Sequence, residues 1–385
     1  MKKILVIHNR YQITGGEDIA VENEIKFLQK QYNVKVLYFE NTINSFFQQV
    51  FYFIFNNNHQ SYKKIKNFIE EFNPDYIYIN NTWFKISLSV FKLLESKKIK
   101  PILKLHNLRY YCTSTYSINV HLNGNQICPA CGLKKKRYSL FNKYFQESYL
   151  KSLLVLRYGK KYINILINND LEILVLSKFH KDFLIKSGVP KEKISIYPNY
   201  LSPSKTNTRI NSEKFIVYAG RVSEEKGVGE LISSFLDSNI SDWSLKIIGE
   251  GPALNELKNR FNQNNVKFMG SLTNKETLGI INKSSGIVTA TKLLEGQPTL
   301  LCEASMLGKV SVFPNVGGML EFFPDNYAYT YRQYDYEDLI KKMNLFTNTE
   351  LVLEQGIENK TYITNFLSQR KLSENFEKIL NETRE

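Results

Sequence analysis

The chain has 385 residues, a formal charge of +14 at pH 7, 43% apolar residues, 25 Phe and 24 Tyr. That length exceeds one typical core and suits two domains of about 190 residues each, while the apolar and aromatic content excludes a mostly disordered chain. No run approaches the roughly 20 apolar residues needed to span a bilayer; four cysteines do not make a secreted disulfide framework, and the basic balance favours anionic partners such as nucleic acid, anionic lipid or phosphorylated metabolites.

The opening MKKILVIHNRYQ has the basic lead of a signal peptide but neither its apolar length nor its small-residue cleavage site. It reads as a first strand, and a cytoplasmic location is expected. Short apolar runs then recur with helix-length material between them: ILVIH (Ile4 to His8), VKVLYF (Val34 to Phe39), YIYIN (Tyr76 to Asn80), ILKLHN (Ile102 to Asn107), ILVLS (Ile173 to Ser177) and ISIYPN (Ile194 to Asn199). A further apolar run, VFYFIF at Val50 to Phe55, is cut off by NNNHQ. Strand alternating with helix at this spacing predicts a parallel sheet covered on both faces. The polar stretch Ser202 to Glu213 interrupts the pattern. It restarts with FIVYAG (Phe215 to Gly220), LKIIGEG (Leu245 to Gly251), VKFMG (Val266 to Gly270), GIVTA (Gly286 to Ala290) and VSVFPN (Val310 to Asn315), which predict a second sheet of the same class. The expected fold is α/β, two Rossmann-like domains with a cleft between them, over residues 1–200 and 201–358. A helical tail over 359–385, broken at Asn365 to Ser368, could pack back on the first domain. Ligand contacts should cluster at the C-terminal ends of strands.

Gly15 and Gly16 follow the first strand and precede an amphipathic helix with Glu22, Ile25, Leu28 and Gln29. They do not make a GxGxxG fingerprint; close passage of backbone to a ligand or a simple turn would each account for them. The ILKLHN strand ends at His106 and Asn107, where a histidine could donate to a ligand hydroxyl or be held structurally by a carbonyl. Arg109 could meet an anion. GRVSEEKG puts Arg221 just beyond a strand and Lys226 five residues later. A guanidinium fork and a lysine point charge can together hold a diphosphate without a divalent metal and stabilise charge on a departing group; a surface salt bridge is the plainer alternative.

Glu295 and Glu303 bracket EGQPTLLCE, with seven residues between them. Pro298 can open a helix there, leaving Glu295 in a loop and Glu303 inside the helix, roughly 7.5 Å further along its axis. The amides of Thr299, Leu300 and Leu301 would form an anion site, so the segment suggests an elongated ligand with a diphosphate in its middle. Two solvated glutamates at an ordinary helix start are the alternative. Cys112, Cys128 and Cys131 form a C-x15-C-P-A-C arrangement with His121 between the outer elements. Three sulfurs and an imidazole suit a tetrahedral structural zinc, but the second close cysteine pair is missing, so free cysteines and a redox pair stay open. Cys302 reads as buried packing. From Lys134 to Lys161 there are nine basic residues against the single acid Glu147, interspersed with Tyr138, Phe141, Tyr144, Phe145, Tyr149, Leu150, Leu153 and Leu154. Such a stretch suits an anionic membrane interface, with a solvated basic helix or nucleic-acid contact as alternatives.

Together these motifs resemble family 4 glycosyltransferases, retaining enzymes of the GT-B type, and their bacterial surface-polysaccharide members. The resemblance rests on GGED (Gly15 to Asp18), HNLR (His106 to Arg109), GRVSEEKG (Gly220 to Gly227), IGEGP (Ile248 to Pro252), EGQPTLLCEA (Glu295 to Ala304) and NVGGMLE (Asn315 to Glu321). The segment from His106 through Cys131 further resembles bacterial members with an HN-R motif followed by a cysteine-rich insertion. Gln297-Pro298 departs from the aromatic residue and glycine of many members, and Asn80-Asn81 stands where others place histidine. The resemblance implies an N-terminal acceptor-side domain and a C-terminal nucleotide-sugar-binding domain. It implies retaining transfer from a nucleotide sugar, UDP-sugar before GDP-sugar, to a glycan hydroxyl, with no cofactor required for catalysis. Arg221 and Lys226 would clamp the diphosphate beside Gly220, with Pro298, Thr299 and Leu300 supplying the helix mouth. Glu303 would hold the ribose and Glu295 would orient the donor sugar. His106 would contact sugar hydroxyls, and Gly16 would shape the loop between donor and acceptor. The basic aromatic segment points to a lipid-linked acceptor at the anionic cytoplasmic face of the inner membrane. Two other readings use the same features: a GT-B nucleotide-sugar epimerase or hydrolase, and a non-catalytic basic module for nucleic acid or membrane. With no helix-turn-helix, finger repeat or aromatic RNA motif, no nucleic acid is expected. Oligomeric state stays open.

Overall fold

The computed structural model describes residues 1–10, 16–40, 51–52, 54–83, 85–202 and 213–384. Gly15 of the GGED segment, Val50 and Phe53 of the VFYFIF run, and residues 203–212 of the polar stretch lie outside them. The chain divides into two units, Met1–Leu201 with Gln369–Glu385, and Ser202–Ser368.

In the first unit the apolar runs become β1 (Lys3–Arg10), β2 (Asn33–Glu40), β3 (Tyr76–Asn81), β4 (Ile102–Leu105), β5 (Glu172–Val175) and β6 (Ile194–Ile196), a parallel sheet in the order β2-β1-β3-β4-β5-β6. Every residue of β3 and β4 is buried, as unbroken apolar runs demand when both faces of a sheet are covered. The cover includes α1 (Gly16–Leu28), α2 (His59–Phe72), α3 (Ser89–Ser96), α4 (Arg109–Ser114), α5 (Ile118–Leu122), α6 (Tyr149–Asn168) and α7 (Lys178–Lys186). Lys104 is the exception inside β4: it is fully buried, and its ammonium lies 2.8 Å from Glu24 on α1, which also accepts from Tyr78 Oη at 2.8 Å. Removing either charge of this pair would strand the other in the core. β4 stops at Leu105, shorter than its apolar run, because Asn107 Oδ1 takes the Arg109 amide at 3.0 Å and turns the chain into α4.

The second unit repeats the plan with β7 (Phe215–Ala219), β8 (Ser244–Ile248), β9 (Val266–Gly270), β10 (Gly286–Val288), β11 (Val310–Pro314) and β12 (Thr330–Tyr331), ordered β12-β11-β10-β7-β8-β9. Its helices are α8 (Val228–Leu236), α9 (Leu254–Arg260), α10 (Asn274–Lys283), α11 (Thr299–Met306), α12 (Tyr336–Asn344) and α13 (Thr349–Phe366). β12, two residues at the sheet edge, is too short to leave a sequence signal.

Residues 359–366 continue α13 within the second unit, and the segment that joins the first unit begins at Gln369 as α14 (Gln369–Arg384). Leu372, Phe376, Ile379 and Leu380 fall on one helical stripe and are buried among Ile4, Val6, Tyr76, Tyr78 and Tyr197. Phe376 packs 5.3 Å from the Tyr197 ring, and Glu377 accepts from Tyr32 Oη at 2.6 Å and pairs with Lys2.

Candidate functional site

Strand order in the second unit reverses between β7 and β10, and a crevice at such a switch point is where doubly wound sheets receive ligands. The loops leaving those two strands carry the charged motifs. Lys226 closes a single 3-10 turn, Glu224–Lys226, and its Nζ lies 2.5 Å from Glu295 Oε1, both side chains a little over one quarter exposed at 27% and 28%. Backbone bonds tie the loops together: the Lys292 amide donates to Glu225 O at 2.9 Å and the Gly318 amide to Glu295 O at 2.8 Å. Gly317 has φ +64° and a Cβ there would sit 2.5 Å from Glu295 O, so only glycine lets the NVGGMLE loop brace Glu295. Gly220 is fixed by its amide bond to Ile248 O at 3.0 Å, and Tyr218 Oη donates to Arg221 O at 2.7 Å. Arg221 itself is exposed, and no described contact joins its guanidinium to Lys226 or Glu295.

Pro298 is the N-cap of α11, with no side-chain cap. Thr299's amide is already used, donating to Gln297 O at 2.9 Å, so the open amides of the first turn are those of Leu300 and Leu301. One turn further in, Glu303 is partly buried, and Asn274 Nδ2 lies 3.3 Å from each of its oxygens. Burial pushes its carboxyl up to about 7, the amide contact only partly offsetting it. Sequence reasoning missed Asn274. Its signal is the Thr273-x-x-Glu276 capping box, which fixes Asn274 as the first residue of α10.

In the first unit His106 sits directly beyond β4, its Nε2 3.0 Å from Asn80 Oδ1 at the end of β3. Nδ1 is buried with no hydrogen-bond partner. Burial, then the charges of Lys104, His8 and His180, hold the ring well below the ordinary histidine range, so it is neutral at physiological pH. The ring lines a small pocket with Glu17, Asn81, Trp83, Asn107 and Arg109, whose guanidinium lies 4.9 Å from the Trp83 ring centre. Asn107 Nδ2 donates to Glu17 at 3.1 Å, and Asp18 of the GGED segment accepts from buried His8 at 2.9 Å. Gly16 opens α1.

In the same unit Cys112, His121, Cys128 and Cys131 converge, with their ligand atoms all within 4.8 Å of one another. Cys112 Sγ is 3.7 Å from Cys128 Sγ, and Cys131 Sγ is 3.5 Å from His121 Nε2. Hydrogen bonds from the Cys112 and Cys131 thiols hold Cys128 well below the usual thiol range. Cys302 is fully buried in α11. In the basic segment, Tyr138, Leu140, Tyr149, Leu150 and Leu153 are exposed, whereas Val155, Leu156 and Tyr158 on the opposite side of α6 are buried. Among the described residues, no helix is long and apolar enough to cross a membrane.

Residues 203–378 match the family described as Glycosyl transferases group 1. Among curated proteins nothing matches. Solved structures similar to the chain include HepE of Anabaena in complex with UDP and glucose, with TM-score 0.70, 13% identity, and coverage of 99% of this chain and 100% of that one. Sucrose-phosphate synthase of Thermosynechococcus elongatus gives TM-score 0.70, 13% identity and 99% coverage of both chains. The lipopolysaccharide outer core galactosyltransferase WaaB in its apo form gives TM-score 0.60, 14% identity, and coverage of 97% of this chain and 99% of that one. The two parallel six-stranded sheets are those of the GT-B fold, and the chain is a glycosyltransferase whose residues 203–378 match the group 1 family.

Proposed function

We propose that the protein transfers a sugar, with retention at the anomeric carbon, from a nucleotide diphosphate sugar to a hydroxyl of a lipid-linked glycan at the cytoplasmic face of the membrane. The observation that carries the reading is the pairing of Lys226 with Glu295 beside the open first turn of α11. In this mechanism a diphosphate oxygen takes Glu295's place on Lys226, while the Leu300 and Leu301 amides and Arg221 complete the anion site. Gly220 and Pro298 shape its backbone walls, and Thr299, whose amide is taken by Gln297 O, opens the turn. Glu295, released from the lysine, orients the donor sugar through its hydroxyls. Glu303 accepts from both ribose hydroxyls, one on each oxygen, for which it must be ionised. His106, neutral, offers Nε2 to a sugar hydroxyl in place of Asn80, and Gly16 starts the helix whose Glu17 lines the same pocket.

The leaving diphosphate oxygen takes the proton of the attacking hydroxyl on the same face of the sugar, so charge stabilisation and alignment carry the rate, and no enzyme nucleophile or cofactor is required. UDP-sugar is the first choice of donor, supported by the UDP held by the similar HepE structure, and GDP-sugar the next. The membrane-side acceptor is supported by the exposed tyrosines and leucines set among Lys134, Lys135, Lys136 and Arg137.

A panel of nucleotide sugars incubated with membrane lipid extract and read by mass spectrometry tests donor and acceptor together. A glycosylated lipid is expected; donor turnover without acceptor would point instead to an epimerase or hydrolase. Sedimentation with anionic liposomes should fall when Lys134, Lys135, Lys136 and Arg137 are replaced by glutamine. Unchanged sedimentation would remove the membrane from the reading.

A further inference from the structure

The proposed transfer assigns the cysteine insertion no role, yet its backbone is closed by several hydrogen bonds. α4 carries Cys112 on its buried side, α5 carries His121, and the turn Cys128–Gly132 brings the last two thiols back, closed by the Gly132 amide on Cys128 O at 2.8 Å and the Cys128 amide on Leu133 O at 2.9 Å. Asn142 then clamps the insertion by donating to Cys112 O at 2.9 Å and Thr115 O at 2.8 Å. His121 and Cys128 are fully buried, and the ring's Nδ1 has no hydrogen-bond partner, so Nε2, turned to the sulfurs, is the nitrogen through which the ring is held.

The spacing discriminates between the ways such a cluster can be used. A disulfide needs sulfurs about 2.05 Å apart. A tetrahedral zinc with Zn–S near 2.3 Å and Zn–N near 2.05 Å puts neighbouring sulfurs about 3.8 Å apart and sulfur and nitrogen about 3.6 Å apart. Of the six separations among the four ligand atoms, Cys112 Sγ–Cys128 Sγ is 3.7 Å and Cys131 Sγ–His121 Nε2 is 3.5 Å, and all lie within 4.8 Å. Four ligands with no open position make a closed, structural site, not a catalytic one.

We infer that Cys112, His121, Cys128 and Cys131 bind one zinc ion that staples α4, and with it the Arg109 end of the His106 loop, to the insertion. On binding, each cysteine gives its proton to solvent and enters as thiolate, and His121 enters neutral through Nε2. α4 already packs through Tyr110 on His180 and through Tyr111 on Phe183, and the staple adds the insertion to those contacts. The helix is six residues long, and its close neighbour is α6, where a Cβ on Gly159 would fall 2.1 Å from Thr113 O.

The test uses the full chain purified with zinc supplied. Elemental analysis should find about one zinc per chain, and a thiol reagent should leave native protein essentially unlabelled, Cys302 being fully buried, but label the three cluster thiols after chelation. Cobalt(II) exchanged into the site should give the intense visible bands of tetrahedral thiolate coordination. Metal should be kept in Cys302→Ser and His121→Cys and lost in His121→Ala. Should the variants fail to fold, thiol protection and the cobalt spectrum of the unmodified chain decide. Metal-free protein with freely reactive thiols, or a Cys112–Cys128 disulfide in freshly prepared protein, would overturn the assignment.

Discussion

Glu303 gives a prediction with its magnitude set by the structure. Burial holds this carboxyl at about 7 against an ordinary value of 4.5. Between those two values the native state keeps a proton that the unfolded chain has released, so stability is fullest below the lower value and falls as pH rises through the window. At 1.36 kcal/mol per pH unit, ionised Glu303 costs the native state about 3 kcal/mol at pH 8 and under about 1 kcal/mol at pH 5. Glu303→Gln keeps the shape and an oxygen for Asn274 while abolishing the titration. The variant should exceed the parent by about 3 kcal/mol at pH 8 and by less than about 1 kcal/mol at pH 5. Urea unfolding reads this cleanly in a Trp83→Phe background, where buried Trp243 reports on the second unit alone. If parent and variant keep the same separation at both pH values, the buried-carboxylate reasoning is wrong. The functional side has the opposite sign. A carboxyl that accepts a ribose hydroxyl on each of its oxygens must be ionised, so UDP should bind the parent more tightly as pH rises from 6 to 8, and Glu303→Gln should bind weakly and without that pH dependence.

Three further outcomes follow from the same structure. Lys226→Ala should slow transfer by a factor on the order of 10²–10³ through loss of leaving-group stabilisation. The melting temperature should barely move, since partly exposed ion pairs contribute at most about 1 kcal/mol; turnover at the parental rate would contradict the phosphate clamp. Gly317→Ala forces a side chain into the left-handed region against Glu295 O and should cost about 1–2 kcal/mol, with loss of activity exceeding loss of fold when both are measured at one temperature. Phe376→Ala should destabilise the first unit by about 3–5 kcal/mol, read from Trp83 fluorescence; an unchanged first-unit transition would show that α14 is not part of that core.

Much of the architecture is legible in the chain itself. Runs such as YIYIN and ILVLS are apolar at successive positions, and only strands covered on both faces bury such runs, so the alternation of strand and helix dictates parallel sheets. The break at residues 365–368 likewise marks where the tail leaves the second unit. The site is legible as chemistry but not as geometry. Spacing puts Glu303 inside a helix that starts at Pro298, because 3.6 residues per turn is a local rule. That Lys226 meets Glu295, 69 residues away, depends on β7 and β10 lying side by side, which no local pattern encodes. Asn274 reaches Glu303 because α10 packs beside α11, and its own neighbourhood announces only a helix start. The titration of Glu303 and the neutrality of His106 follow from how deeply the fold buries them, and desolvation is a property of the whole packing. The cysteine spacing admitted zinc, free thiols and a redox pair alike; the inference of a tetrahedral ion rests on the sulfur and nitrogen separations set by α4, α5 and the turn after Cys128.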